Sequence, residues 1–109
     1  MINKKEITLN NIIIYDLAKL GRFLMGREDG GNGYFVIKRD VFDILKDGEI
    51  VKFTMKKGTI MNPSYADETV GRFIKEFPGI VFVDKDLGYA VEKVFETLEI
   101  TNGIKVEYI

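Results

Sequence analysis

The most constraining stretch of the sequence runs from residue 62 to residue 83. Within it Ala66, Val70, Phe73, Ile74 and Phe77 fall at helical spacing on one face. Pro78 and Gly79 then stop the helix, since proline lacks the next amide donor and glycine accepts turn conformations. Ile80, Val81, Phe82 and Val83 follow without a polar break, the pattern of a strand covered on both faces. A one-sided helix that turns directly into such a strand has to lie against a sheet sheltered by helices.

The flanking segments extend this alternation. Residues 7–14 end in the β-branched run Ile12, Ile13, Ile14 and predict a strand, or a short hairpin if Asn10 and Asn11 turn. Leu17, Leu20 and Leu24 keep helical spacing and predict a helix over 15–25, with Gly21 against it. The polar, glycine-dense segment 26–33 predicts a loop. Ile37, Val41, Ile44 and Leu45 predict an amphipathic helix over 35–45, ended by Asp47 and Gly48. Residues 49–55 read as a strand, 56–58 as a turn, and 59–61 as a continuation. Leu87, Ala90, Val91, Val94 and Leu98 mark a last helix with Asp86 as its N-cap. After the turn at Asn102 and Gly103, the alternation of Ile104, Val106 and Tyr108 predicts a final strand over 104–109, at an edge open to a partner. The expected architecture is α/β, a small mixed or mostly parallel sheet covered by helices, in one domain over 1–109.

Composition narrows the chemistry. The chain has no Cys and no His, so disulfides, thiolate nucleophiles, Ser-His-Asp triads and zinc-hydrolase sites are excluded. Carboxylates remain available for acid–base work or a hard cation such as Mg²⁺. Sixteen basic residues against 17 acidic ones give a net charge of −1, which provides no global attraction for nucleic acid or an anionic membrane. No apolar run is long enough to span a bilayer, and residues 1–6 do not read as a signal peptide, so a cytoplasmic location is expected.

Three segments are candidates for function. At the start of the central helix, Asn62 precedes Pro63 as a natural N-cap, while Ser64 with Asp67 offers a competing boundary shaped like a capping box. Asp67 and Glu68 suit the first turn, where they meet the positive end of the helix dipole, and are also the obvious pair for a carboxylate enzyme. In the segment 27–33, Arg27, Gly30, Gly31 and Gly33, joined by Arg39, form an anion-binding candidate, although no phosphate-loop or dinucleotide fingerprint is present. Arg22 belongs to the same positive neighbourhood. Lys52, Lys56 and Lys57 form a short basic cluster near Phe53, a nucleic-acid surface in principle but disfavoured by the overall charge. Any of Tyr15, Tyr34, Tyr65 and Tyr89 that gathered on a surface would favour a protein interface.

Pro63, Ser64, Tyr65, Ala66, Asp67 and Glu68, followed by Gly71, Phe73 and Ile74, resemble the Ser-Phe-Ala-Asp-Glu signature of the STAS-like domains, a bacterial and phage group, with Tyr65 in place of the usual Phe. Gly26, Arg27, the following glycines and Arg39 are similar to the group's upstream glycine-arginine region, so that the resemblance spans roughly residues 15–75. The group commonly carries an Asp-Phe-x-Gly-Val motif at a strand end; here Lys52 precedes Phe53, and any function of that carboxylate is in doubt. The wider relation is to the STAS domains of anti-sigma-factor antagonists and sulphate-transporter tails. These bind proteins, and some are switched by phosphorylation of a serine, to which Ser64 is the nearest match by position. The resemblance implies a non-enzymatic regulatory or protein-interaction module without a cofactor or metal. Its partner would be a protein, with a homodimer as a further option, and its candidate contacts are Ser64, Tyr65, Asp67 and Glu68. The alternative is a small-molecule or nucleotide sensor using residues 27–33 and the N-terminus of the helix that starts near Pro63.

Overall fold

The structure, a computed structural model, describes residues 11–109. The chain has an α/β fold with a parallel three-stranded sheet in the order β1-β3-β5, formed by β1 (Ile12–Asp16), β3 (Ile50–Thr54) and β5 (Val81–Val83). A second parallel pair, β2 (Phe23–Leu24) and β4 (Ile60–Met61), continues from the ends of β1 and β3. The helices are α1 (Arg27–Asp40), α2 (Pro63–Glu68), α3 (Val70–Glu76) and α4 (Tyr89–Asn102). Strand propensity accounts for the central sheet: Ile50, Val51 and Phe53 in β3, and Val81, Phe82 and Val83 in β5, are all buried.

Phe73 of α3 is fully buried at the centre of the core. Its ring stacks on Phe42 at 4.1 Å and on Tyr34 at 4.5 Å, with Phe53 of the central strand at 6.1 Å. Leu17, Ile37, Phe95 and Leu98 complete the same cluster from three other parts of the chain. Removing one such ring typically costs ~3–5 kcal/mol.

Several segments differ from the sequence expectation. Residues 15–25 are not a helix but β1, a 3₁₀ turn over Leu17–Leu20, and β2. The Asp16 side chain caps the turn at the Ala18 amide, and Gly21, with φ of +143°, ends it. Leu17 and Leu24 still reach the core, by a route other than one helix face. The segment 27–33 is not a loop; it forms the first half of α1. The helix expected over 35–45 stops at Asp40, and a 3₁₀ turn over Phe42–Ile44 buries Phe42 while leaving Ile44 exposed.

The helix expected over 66–77 is broken at Thr69, which separates α2 from α3. The buried Thr69 hydroxyl donates to the Tyr65 carbonyl at 2.8 Å, a side-chain bond of the kind that bends helices. Asp86 does not cap α4; Gly88 does, and the Asp86 amide instead donates to Asp84. Residues 104–109 make no strand, only one parallel bridge from Tyr108 to Val83, so the open edge strand expected there is not formed. The expected strand over 7–14 appears as β1 from Ile12 onward. Its earlier part, like the turn at Asn10, lies outside the described residues.

Candidate functional site

The signature segment is assembled first by its cap. The Asn62 side-chain oxygen accepts from the Tyr65 amide at 3.0 Å, satisfying an orphan donor of α2, and from the Gly26 amide at 3.2 Å at the junction of β2 and α1. Pro63 takes the first helical position. Ser64 is half-buried and plays no part in the cap, so the competing boundary is not used.

Asp67 is a tie between helices. One oxygen accepts from Arg27 of α1 at 2.5 Å and the other from the Asn102 side chain of α4 at 2.5 Å, while Arg27 also reaches Glu68 at 3.2 Å. These bonds to Asp67, and then to Glu68, hold the Arg27 guanidinium more firmly protonated than usual. Asp67 and Glu68 are thus committed to a cation of the same chain.

Tyr65 is 3% exposed and cannot present its ring to a partner. Burial, and then the nearby Asp29 carboxylate, push its hydroxyl up to about 12, so it stays a protonated phenol at neutral pH. Its hydroxyl side borders a shallow groove of about 330 Å³ between Phe23, Asp29 and Val36.

The glycines of 27–33 serve this same packing. A Cβ on Gly30 would sit 2.7 Å from the Tyr65 carbonyl oxygen, and one on Gly33 would sit 2.5 Å from the Tyr65 hydroxyl. Gly30 lets α1 approach the α2 backbone and Gly33 makes room for the Tyr65 hydroxyl, packing that compensates the ~1 kcal/mol that each glycine costs a helix. Gly31 faces open space. The expected anion cradle of Arg27, Gly30, Gly31, Gly33 and Arg39 is therefore not formed. The helix uses these amides internally, Arg27 is paired to Asp67, and Arg39 pairs with its neighbour Asp40 at 2.9 Å.

A different set of residues gathers at the far end of the sheet. The pairs β1·β3 and β2·β4 part at one level, after Asp16 and Thr54, and rejoin at Phe23 and Ile60. The two loops thrown out there, residues 17–22 and 55–59, enclose a groove of about 430 Å³ lined by Lys19, Arg22, Lys56 and Lys57. The Asp16 carboxylate joins the loops at their base, accepting from the Ala18 amide at 2.9 Å and the Lys56 amide at 3.0 Å. None of the four cations forms an ion pair among the described residues. Lys19 and Arg22 lie over the rings of Tyr15 and Phe23, at 5.1 and 5.9 Å.

The basic cluster read from sequence is thereby divided. Lys56 and Lys57 line the groove, but Lys52 points to Asp84, 3.9 Å away, whose other oxygen accepts from Thr54 at 2.8 Å. Burial pushes Asp84 up, but the Asp86 amide, the Thr54 hydroxyl and Lys52 together outweigh it and hold the carboxyl below its ordinary range.

Beside the groove, Phe23 and Ile60 stand opposite each other in the β2·β4 pair, 64% and 50% exposed, with Met25 exposed next to them. Their inward neighbours Leu24 and Met61 are buried. This apolar face escaped the sequence reading because a two-residue strand is too short to show alternation.

No protein-family model, no curated protein and no solved structure matches the chain. Among the described residues no helix is long and apolar enough to cross a membrane.

Proposed function

We propose that this chain is a non-catalytic regulatory or protein-interaction module, of the STAS-like type that its sequence resembles, and that it docks its partner on the outer face of β2 and β4. The observation that carries this reading is the registered, exposed pair Phe23 and Ile60, with Met25 alongside. Exposed aromatics on a small rigid platform are the usual anchors of a protein interface. The unpaired Arg22 next to Phe23 selects the partner: an apolar segment flanked by an acidic residue, which the guanidinium would meet with charge-assisted bonds. The signature residues support this face indirectly. Asn62 fixes the end of β4 against the start of α1, and Asp67 locks the helices behind it.

Affinity capture from the native host with the wild-type chain and a Phe23→Ser/Ile60→Ser variant tests the proposal. The expected result is a partner held by the wild type, released by moderate salt, and weakened about 30-fold or more by the variant, the loss typical of a central anchor. An unchanged melting temperature would show that the variant folds. Capture that survives the double substitution, or that needs neither Phe23 nor Arg22, would overturn the assignment of this face. Self-association lost in the same variant would identify a second copy of the chain as the occupant.

A further inference from the structure

We propose that the groove between the loops 17–22 and 55–59 binds the phosphate group of a small phosphorylated ligand. The inference shares Arg22 with the docking reading but does not rest on it, since Lys19, Lys56 and Lys57 would still face an anion if β2 and β4 receive no protein.

The position is the first argument. The groove opens where β1 and β3 end, and in sheets of parallel strands the carboxyl ends are where ligands are received. Here two neighbouring strands break at the same level, so the space lies between two loops that share one foundation. The Asp16 carboxylate supplies it by holding one amide from each loop. The cations therefore extend from a fixed base.

Charge is the second. Lys19 and Arg22 come from one loop, Lys56 and Lys57 from the other. Four of the chain's 16 basic residues converge on one groove of a protein whose net charge is −1. The nearby acids, Asp16 and Asp40, offset only part of that charge. Asp16 spends its inner oxygen on the two backbone amides, and Asp40, close enough to feel Lys19, is bonded to Arg39. Four like charges outnumber these acids and repel one another, and a bound anion relieves that repulsion.

The ligand class follows from number and size. A lone carboxylate neutralises one of the four cations, whereas a phosphate dianion or a diphosphate matches two to four, and Arg22 offers the planar fork that suits phosphate oxygens. The Thr59 hydroxyl on the same wall adds a neutral donor. A volume of about 430 Å³ is within the range of small-molecule sites. A long polyanion would have to leave this patch and cross a surface whose charge is otherwise net acidic, so a small ligand is favoured over a nucleic-acid backbone.

Calorimetric titration of the full chain at physiological salt tests the proposal, with pyrophosphate, a nucleoside triphosphate and a single-stranded oligothymidylate as separate probes and amide chemical shifts read in parallel. The expected result is saturable binding of pyrophosphate or the triphosphate, with shifts confined to residues 17–22 and 55–59. Lys56→Gln/Lys57→Gln should weaken it by about tenfold or more, the effect of losing two close charges. Lys93→Gln/Lys105→Gln, an equal charge change elsewhere on the surface, should leave it within about twofold. Absence of saturation by about 10 mM pyrophosphate or triphosphate, or equal weakening by both double variants, would overturn the proposal. Tighter binding of the oligothymidylate than of either small probe would also overturn it, in favour of a nucleic-acid surface.

Discussion

Around Asn62 the chain satisfies its own groups, while around Lys56, a few residues earlier, it leaves them open. In the first region one amide oxygen serves two backbone donors, Asp67 serves an arginine and an asparagine, and two glycines of α1 make room for the Tyr65 backbone and hydroxyl. In the second, four cations line a groove without an ion pair among the described residues, and Phe23 and Ile60 face solvent together. The contrast separates scaffold from surface. Groups partnered within the chain contribute to stability, and groups left unpartnered at a rigid edge are available to something outside it. On this division the segment that looks most like a functional motif in the sequence is the scaffold.

The largest break in the comparison should come from Asn62→Ala. It strands the Tyr65 and Gly26 amides at once, and a lost cap plus a second lost bond predict a destabilisation of about 2 kcal/mol in urea unfolding. A loss below about 0.5 kcal/mol would mean that water replaces Asn62 freely and that the junction is not a tie. The next effect is a pair of opposite sign. Gly30→Ala must push a methyl against the Tyr65 carbonyl, and after subtracting the helix-propensity gain it should cost about 1–2 kcal/mol. Gly31→Ala meets open space in the same helix and should stabilise by up to about 1 kcal/mol. Equal shifts in the two midpoints would remove the close-packing explanation for this glycine-dense helix.

These glycines also show where sequence patterns stop being informative. Local propensity reads Gly30, Gly31 and Gly33 as a loop, because the reason for two of them lies in Tyr65, on another helix. The groove is hidden for the same reason: Lys19 and Lys56 are far apart in sequence and meet only through the β1·β3 register. Elements whose causes are local were legible. Asn62 and Pro63 begin α2 as their chemistry requires, and the unbroken apolar run becomes the buried β5. The alternation of Ile104, Val106 and Tyr108 was legible but insufficient, since a period of two produces a strand only where a ladder is available, and here a single bridge is made. At residues 15–25 the period itself misled, because Leu17 and Leu24 enter one core from a turn and a strand.

The smallest expected effect tests which side of the division Lys52 belongs to. Unlike Lys56 and Lys57 it has a partner, Asp84, which is also held by the Thr54 hydroxyl and the Asp86 amide. Because the folded state holds Asp84 below its ordinary value, the folded protein keeps its charge at a pH where the unfolded chain takes up a proton. Its contribution is therefore complete above the unfolded value of about 4 and is lost as the pH falls from there through the folded value. Partly exposed pairs of this kind are worth about 1 kcal/mol or less, so the measurement has to be differential. Urea midpoints of the wild type and Asp84→Asn, compared at pH 6 and pH 3, should converge on acidification, with the wild type losing the larger share. If the gap between them is unchanged at pH 3, Asp84 acts only through neutral hydrogen bonds, and Lys52 joins Lys19, Arg22, Lys56 and Lys57 as a cation without a stabilising ion pair among the described residues.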